Sequence, residues 1–160
     1  MADAQPNGLP GGSPGSPPSA VLFCCTQNAL RSPMAAAMLR QLHGQRIFVD
    51  SVGVRAGELD PFAVAAMDEI GLDITRHKPR TFDDLEDSSF DLIISLSPEA
   101  QHKAVEMTRT MACEVEFWNT FDPSIVEGSR EQRMDAYREV RDGLMRRIRE
   151  RFPAMGAPKI

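Results

Sequence analysis

AVLFCCTQNALRSP, residues 20–33, is the stretch that decides the fold. Its first six residues form a short, unbroken apolar run, the pattern of a strand covered on both faces. Ser32 and Pro33 suit the cap and first turn of a helix. Met34, Met38 and Leu42 then recur at helical spacing. A buried strand therefore passes through a short loop into a helix.

Outward from that unit the alternation repeats. RIFVDSV (46–52) reads as a second strand, and Asp60 and Pro61 open a second helix that Gly71 closes. FDLIISL (90–96) is a third strand, followed by a helix that Ser97 and Pro98 open and that ends near Thr110. ACEVEFW (112–118) is a fourth strand. Ser129 and Gln132 have the spacing of a capping box for a long last helix, whose apolar stripe is Tyr137, Val140, Leu144, Ile148 and Phe152. The arginines interleaved with acids along that helix read as a solvated face laced with ion pairs. Four strands alternating with helices predict an α/β fold: three layers, a four-stranded parallel sheet with helices on both faces, and right-handed crossovers. Ligands of such sheets bind beyond the carboxyl ends of the strands.

The chain has 160 residues, enough for one domain with a real core. Residues 1–19, rich in Pro, Gly and Ser, read as a disordered tail, with a single domain over 20–160. No apolar run is long enough for a membrane span, and no secretory leader is expected. A net charge of −5 argues against nucleic acid as a partner. Three cysteines, two of them adjacent, make no disulfide framework and point to a reducing, cytoplasmic compartment. Cys24, Cys25 and Cys113 lack metal-ligand spacing, and His43, His77 and His102 are scattered, so no metal site is expected. A monomer or weak dimer is expected.

Between strand and helix, Cys25 and Arg31 are separated by five residues, and Ser32 follows. A loop of this length, wrapped around a helix start, aims backbone N–H groups at one point and binds a tetrahedral oxyanion. The cradle comprises Thr26, Gln27, Asn28, Ala29, Leu30, Arg31 and Ser32. Arg31 offers a bidentate clamp for two phosphate oxygens, and the same positive field favours a nucleophilic thiolate on Cys25. Ser32 can donate to that sulfur. Successive strand side chains point to opposite faces, which makes Cys24 a small core residue. Asp122-Pro123, after the fourth strand, should emerge on the same sheet edge, where an acid could protonate a leaving oxygen and later activate water.

These residues resemble the low-molecular-weight protein tyrosine phosphatase family, whose fold is shared by thiol-dependent arsenate reductases. The likeness spans residues 20–153 and rests on VLFCCTQNALRSP, DSVG, DPFAVAAMDEIGLDITRHKPR, FDLIISLSPEA and FDP in that order. It implies Cys25 as the nucleophile that becomes phosphocysteine, Arg31 as phosphate ligand, Ser32 as thiolate stabiliser and Asp122 as general acid and then base. It implies that Asn28 takes a left-handed backbone, and that Ser51 and His77 support it by hydrogen bonds; His77 also reads as an exposed residue beside Arg76 and Lys78. It implies no metal or organic cofactor. The partners implied are a phosphorylated protein or small phosphate ester, with phosphate-like oxyanions as inhibitors.

The chain departs from that family at three places. Gln27 stands where the phosphatases usually carry Gly, and Leu30 where many carry a second, protective Cys. Ser124 and Ile125 follow Asp-Pro where tyrosines often flank the substrate; Phe121 or Trp118 could line the mouth, although packing into the core is the commoner use of each. Two other functions fit the same loop. One is an arsenate reductase using a small-molecule thiol. A relay through Cys113 is disfavoured, because at roughly 3.3 Å per residue the fourth strand puts it well over 10 Å away. The other is a non-catalytic phosphate-binding module, which needs neither the thiolate nor the acid.

Overall fold

A computed structural model describes residues 18–86 and 89–154. The tail expected over 1–19 lies almost wholly outside the described residues, as does the end of the chain from 155. Ser19, however, belongs to the folded unit. Its hydroxyl donates to Asp91 Oδ2 at 2.7 Å, and its carbonyl accepts from Phe48 N at 2.9 Å.

The strands are β1 (Ala20–Cys25), β2 (Phe48–Gly53), β3 (Leu92–Ser95) and β4 (Glu114–Phe117). They form one parallel sheet in the order β2-β1-β3-β4. The strand order reverses at β1, so the crevice that such sheets use for ligands opens beyond Cys25. β1 is buried along its whole length, as its apolar run requires. Its side chains alternate between two cores. Val21, Phe23 and Cys25 face one cluster; Ala20, Leu22 and Cys24 face the other.

The helices are α1 (Arg31–His43), α2 (Pro61–Asp68), α3 (Pro98–Met107) and α4 (Arg130–Arg151). α1, α2 and α4 cover the Cys25 face, and α3 covers the Cys24 face. This is the three-layer α/β architecture expected. Asp60 caps α2 through Phe62 N at 2.8 Å, and Gly71, with φ +81°, turns the chain away after it. Ser97 caps α3 through Ala100 N at 3.2 Å, and α3 ends at Met107, short of Thr110. In α4, Ser129 and Gln132 exchange both capping-box hydrogen bonds. The stripe Tyr137, Val140, Leu144, Ile148 and Phe152 is buried.

Three expectations need correction. Ser32 does not cap α1, which starts at Arg31; its hydroxyl is drawn to Cys25 instead. Leu42 is 37% exposed, and the buried face of α1 is Met34, Ala35, Met38 and Leu39, because α1 packs against both the sheet and α4. The charges of α4 are more than a solvated lacing. Arg138 forks onto Glu69 at 2.8–3.1 Å, and Arg141 reaches Glu69 and the Ala66 carbonyl, both at 2.8 Å, which ties α4 to the end of α2. Hydrogen bonds from Arg138 and Arg141 hold the Glu69 carboxyl down at about 2.

Among the described residues no helix is long and apolar enough to cross a membrane. No group of three or more His, Cys, Asp or Glu among them could hold a metal ion.

Candidate active site

The loop from Cys25 to Arg31 is held from outside by its carbonyls. Val54 N donates to Cys25 O (3.1 Å), Arg55 N to Thr26 O (2.8 Å) and Gly57 N to Gln27 O (2.9 Å). His77 Nε2 donates to Asn28 O (2.9 Å), and Asp60 N to Ala29 O (3.0 Å). A carbonyl only accepts, so Nε2 of His77 carries its proton. In a trans peptide the N–H of the next residue points opposite to the carbonyl. Five consecutive carbonyls taken up by neighbouring segments therefore leave the amides that follow them on the other side of the loop, whose residues Thr26, Gln27, Ala29 and Leu30 line the cavity. Such an arrangement has the form of an anion-binding nest.

The clamping segment, residues 54–60, was not legible as functional, because its contribution is backbone N–H groups. Gly53 was the available signal. A Cβ there would lie 2.6 Å from Asn28 N and 2.8 Å from Gln27 C, so only glycine lets β2 approach the loop this closely. The extra bulk of Gln27 is absorbed beside Gly57, against which its side chain lies.

Asn28 is buried and takes φ +53°, the left-handed region that Asn tolerates. Arg80 N donates to Asn28 Oδ1 at 2.9 Å, which fixes the orientation of the amide. Its Nδ2 then donates to Ser32 Oγ at 2.8 Å and to Ser51 Oγ at 3.0 Å. Ser32 Oγ lies 3.0 Å from Cys25 Sγ. Because Ser32 Oγ accepts from Asn28, its own proton can face the sulfur at 3.0 Å, the nearer of its two acceptors, the other being the Val52 carbonyl at 3.4 Å. His77 is half-buried, not an exposed companion of Arg76 and Lys78, and burial pushes its imidazole below the ordinary value.

Arg31 is 9% exposed, and its Nη1 donates to Thr120 O at 2.8 Å. One edge of the guanidinium is thus anchored to the segment leading to Asp122, and the group is fixed at the cavity wall. Cys25, Thr26, Gln27, Ala29, Leu30, Arg31 and Asp122 line one cavity of about 580 Å³, open to solvent, together with Asp60, Phe62, Arg133 and Tyr137. Asp122 opens a short 3-10 turn, Pro123–Ile125, and its Oδ1 accepts from Ser124 N (3.0 Å) and Ser124 Oγ (2.7 Å). Thr26 Oγ1 donates to Ser97 Oγ at 3.0 Å, joining the loop to the start of α3.

Phe121 and Trp118 separate. Trp118 packs edge-on against Phe23 in the core, whereas Phe121 is 55% exposed, because it sits in the loop beyond β4 and not in the strand. The sequence placed Tyr137 only in the helical stripe; the structure also sets it in the cavity wall. The other thiols are elsewhere. Cys24 is buried on the opposite face of β1, and Cys113 precedes β4 at the far end of the sheet, packed against the same second core as Cys24. Burial pushes both of those thiols up.

Known proteins share this arrangement of elements. Arsenate reductase of Bacillus subtilis (strain 168) is 33% identical over 130 residues, 81% of this chain and 92% of its own length. A solved structure of an arsenate reductase in the phosphate binding state is 26% identical, with a TM-score of 0.64 over 82% of this chain and 95% of that one. The tyrosine phosphatase amsI of Erwinia amylovora, 17% identical, shares the fold with a TM-score of 0.71 over 91% of this chain and 99% of its own. The profile of the family described as low molecular weight phosphotyrosine protein phosphatase matches residues 20–155. With that match over most of its length, the chain belongs to the low molecular weight phosphotyrosine protein phosphatase family of enzymes.

Proposed function

We propose that this enzyme hydrolyses phosphate monoesters, with phosphotyrosine in proteins as the favoured substrate, through a phosphocysteine intermediate on Cys25. One observation carries the reading. The loop whose five consecutive carbonyls are clamped by neighbouring segments lines one cavity together with Cys25, Arg31 and Asp122, which leaves its amides available to an anion there.

The steps follow from the groups present. The amides and Arg31 bind the phosphoryl oxygens. Cys25 Sγ, as thiolate, attacks phosphorus, and the P–O bond to the leaving group breaks. Asp122 gives its proton to the departing oxygen. Asp122, now a carboxylate, takes a proton from water, which attacks phosphorus and breaks the S–P bond. Ser32 donates to the sulfur as it leaves, and inorganic phosphate departs. Phosphate-like oxyanions compete for the same cradle. Three unpaired cysteines support a reducing, cytoplasmic setting.

Arsenate reduction is the second reading, favoured by the curated relatives that bear that name. In this chain Cys24 and Cys113 lie away from the cavity, so a reductase here draws on an external small-molecule thiol.

Initial rates on p-nitrophenyl phosphate, on a phosphotyrosine peptide, and on arsenate with a small thiol decide the matter. Cys25→Ser is expected to lower phosphatase turnover by about 10⁴-fold or more. Asp122→Asn is expected to slow poor leaving groups by about 10²–10³-fold and p-nitrophenol far less. Arsenate turnover without ester hydrolysis would install the reductase reading. Phosphate binding without turnover of any substrate would leave a binding module.

A further inference from the structure

Tyr137 is the only tyrosine of the chain and stands more than a hundred residues from Cys25, yet it closes on the same cavity. Its hydroxyl donates to Asp60 Oδ2 at 2.5 Å. Its ring meets Phe62 edge-on, with centroids 5.3 Å apart. Burial, followed by the hydrogen bond to Asp60 and the charges of Asp60 and Asp122, pushes the phenol well above its ordinary value, so it remains a donor at any working pH.

Asp60 has three tasks at once. Its Oδ1 caps α2 through Phe62 N at 2.8 Å and Ala63 N at 3.4 Å. Its Oδ2 receives the Tyr137 hydroxyl. Its own N–H clamps the Ala29 carbonyl at 3.0 Å, the last of the five outward carbonyls. Three of the other clamps are N–H groups of the segment that follows β2, and the fourth is His77. The Ala29 clamp depends on where the N-cap residue of α2 is held, and that is set by the Asp60 carboxylate. A tether from α4 thereby reaches the Ala29–Leu30 peptide of the loop.

We propose that Tyr137 and Asp60 form a positioning pair that fixes the Ala29–Leu30 peptide of the oxyanion cradle. The hydrogen bond by which the pair meets the loop is the Asp60 N–H, so the signature of this link is anion affinity. The proposal rests on the reading of the Cys25 loop as an oxyanion site. It requires no particular substrate.

Titration calorimetry of the full chain with inorganic phosphate tests it, alongside thermal melting. Tyr137→Phe keeps the ring packed on Phe62 and removes only the tether; phosphate affinity should fall about 3–10-fold, with KM on p-nitrophenyl phosphate rising in parallel. Asp60→Ala should fall further, about 10–50-fold. Asp60→Asn should recover most of the affinity, since its oxygen can cap α2 and its amide can donate to the phenol. Adding Tyr137→Phe to Asp60→Ala should cost no more affinity than Asp60→Ala alone, because the two act through one link. Phosphate affinity within twofold of the parent in both Tyr137→Phe and Asp60→Ala, whatever their melting temperatures, would overturn the pair and leave the oxyanion site standing. A parent chain that binds no phosphate would remove both.

Discussion

The two loops that meet at the cavity are built on opposite principles. The anion loop, residues 25–31, is held by partners distant in sequence: Val54, Arg55, Gly57, Asp60 and His77 on its carbonyls, Arg80 and Ser51 on the Asn28 side chain. The acid loop has one long-range backbone tie, Thr120 N to the Leu96 carbonyl at 2.9 Å, and Pro123 is buried against α4, but its carboxylate is held close to home. Asp122 takes both its hydrogen bonds from Ser124, and its neighbours Phe121 and Ile125 are the two most exposed large apolar side chains among the described residues, at 55% and 67%. A hydrogen bond joins the two loops, Arg31 Nη1 to the Thr120 carbonyl. A site that must present many dipoles to one small ion needs every peptide fixed before the ion arrives. A carboxylate that must follow leaving groups of different shape gains from being tied only to its near neighbour Ser124. Binding and acid catalysis should therefore separate on mutation.

The largest expected effect tests that separation. Arg31→Ala removes an anchored charge from the cradle; it should lower kcat/KM by about 10³-fold and weaken inhibition by inorganic phosphate by at least tenfold. Asp122→Asn should lower turnover of phenyl phosphate by about 10²-fold while phosphate inhibition stays within about threefold. Steady-state kinetics with phosphate as competitor reads both. If Asp122→Asn weakened phosphate as much as Arg31→Ala does, the two loops would be one unit.

Next in size is the stability contrast. Asn28→Ala deletes an amide that serves Ser32, Ser51 and Arg80 in a buried site and leaves a non-glycine residue at φ +53° without that support. The expected loss is about 2–4 kcal/mol in urea unfolding. Ser124→Ala removes one exposed partner of Asp122 and should cost about 0.5 kcal/mol or less. Gly53→Ala falls between, at about 1–3 kcal/mol, since the atoms in its way are backbone and cannot rotate aside. Equal losses at Asn28 and Ser124 would dissolve the contrast.

The same contrast explains what the sequence could be made to say. β1, the capping residues Asp60, Ser97 and Ser129, and the stripe of α4 are local signals, and each element formed where they pointed. Cys25, Arg31 and Ser32 stood out because their spacing falls between a buried strand and a helix, where an anion site belongs. Ser32 was misread as a cap because a hydroxyl before Pro looks the same whether it serves a helix or a sulfur. The clamps at Val54, Arg55 and Gly57 were silent, since any residue but proline supplies an N–H. Tyr137 was read as core, and it is core; its hydroxyl finds Asp60 through the packing of α2 on α4, which helical periodicity does not encode. Phe121 was open to two uses, the mouth or the commoner place in the core, and the loop beyond β4 leaves it exposed.

The smallest effect isolates a single clamp. His77 donates to the Asn28 carbonyl, and burial, outweighing that hydrogen bond, holds its imidazole below the ordinary value near 6.5; Arg80 and Arg40 add to the lowering, and Asp50 opposes it. The unfolded chain then takes up a proton at a higher pH than the folded one. Stability from this residue is fully present above about pH 6.5, falls as pH drops through that value, and stops falling below the lowered folded-state value, where both states carry the proton. The imidazole is part exposed, so solvent screens the effect and the slope is shallow. The clamp itself survives protonation, because Nε2 donates in either form. Urea midpoints of the parent between pH 7.5 and 5.5 should therefore decline more steeply than those of His77→Gln, while phosphate affinity of the parent stays nearly level across the same range once the titration of phosphate itself is allowed for. A parent whose phosphate affinity collapsed along with its stability would mean that the cradle opens when His77 charges, and the anion loop would then be less rigid than its hydrogen bonds imply.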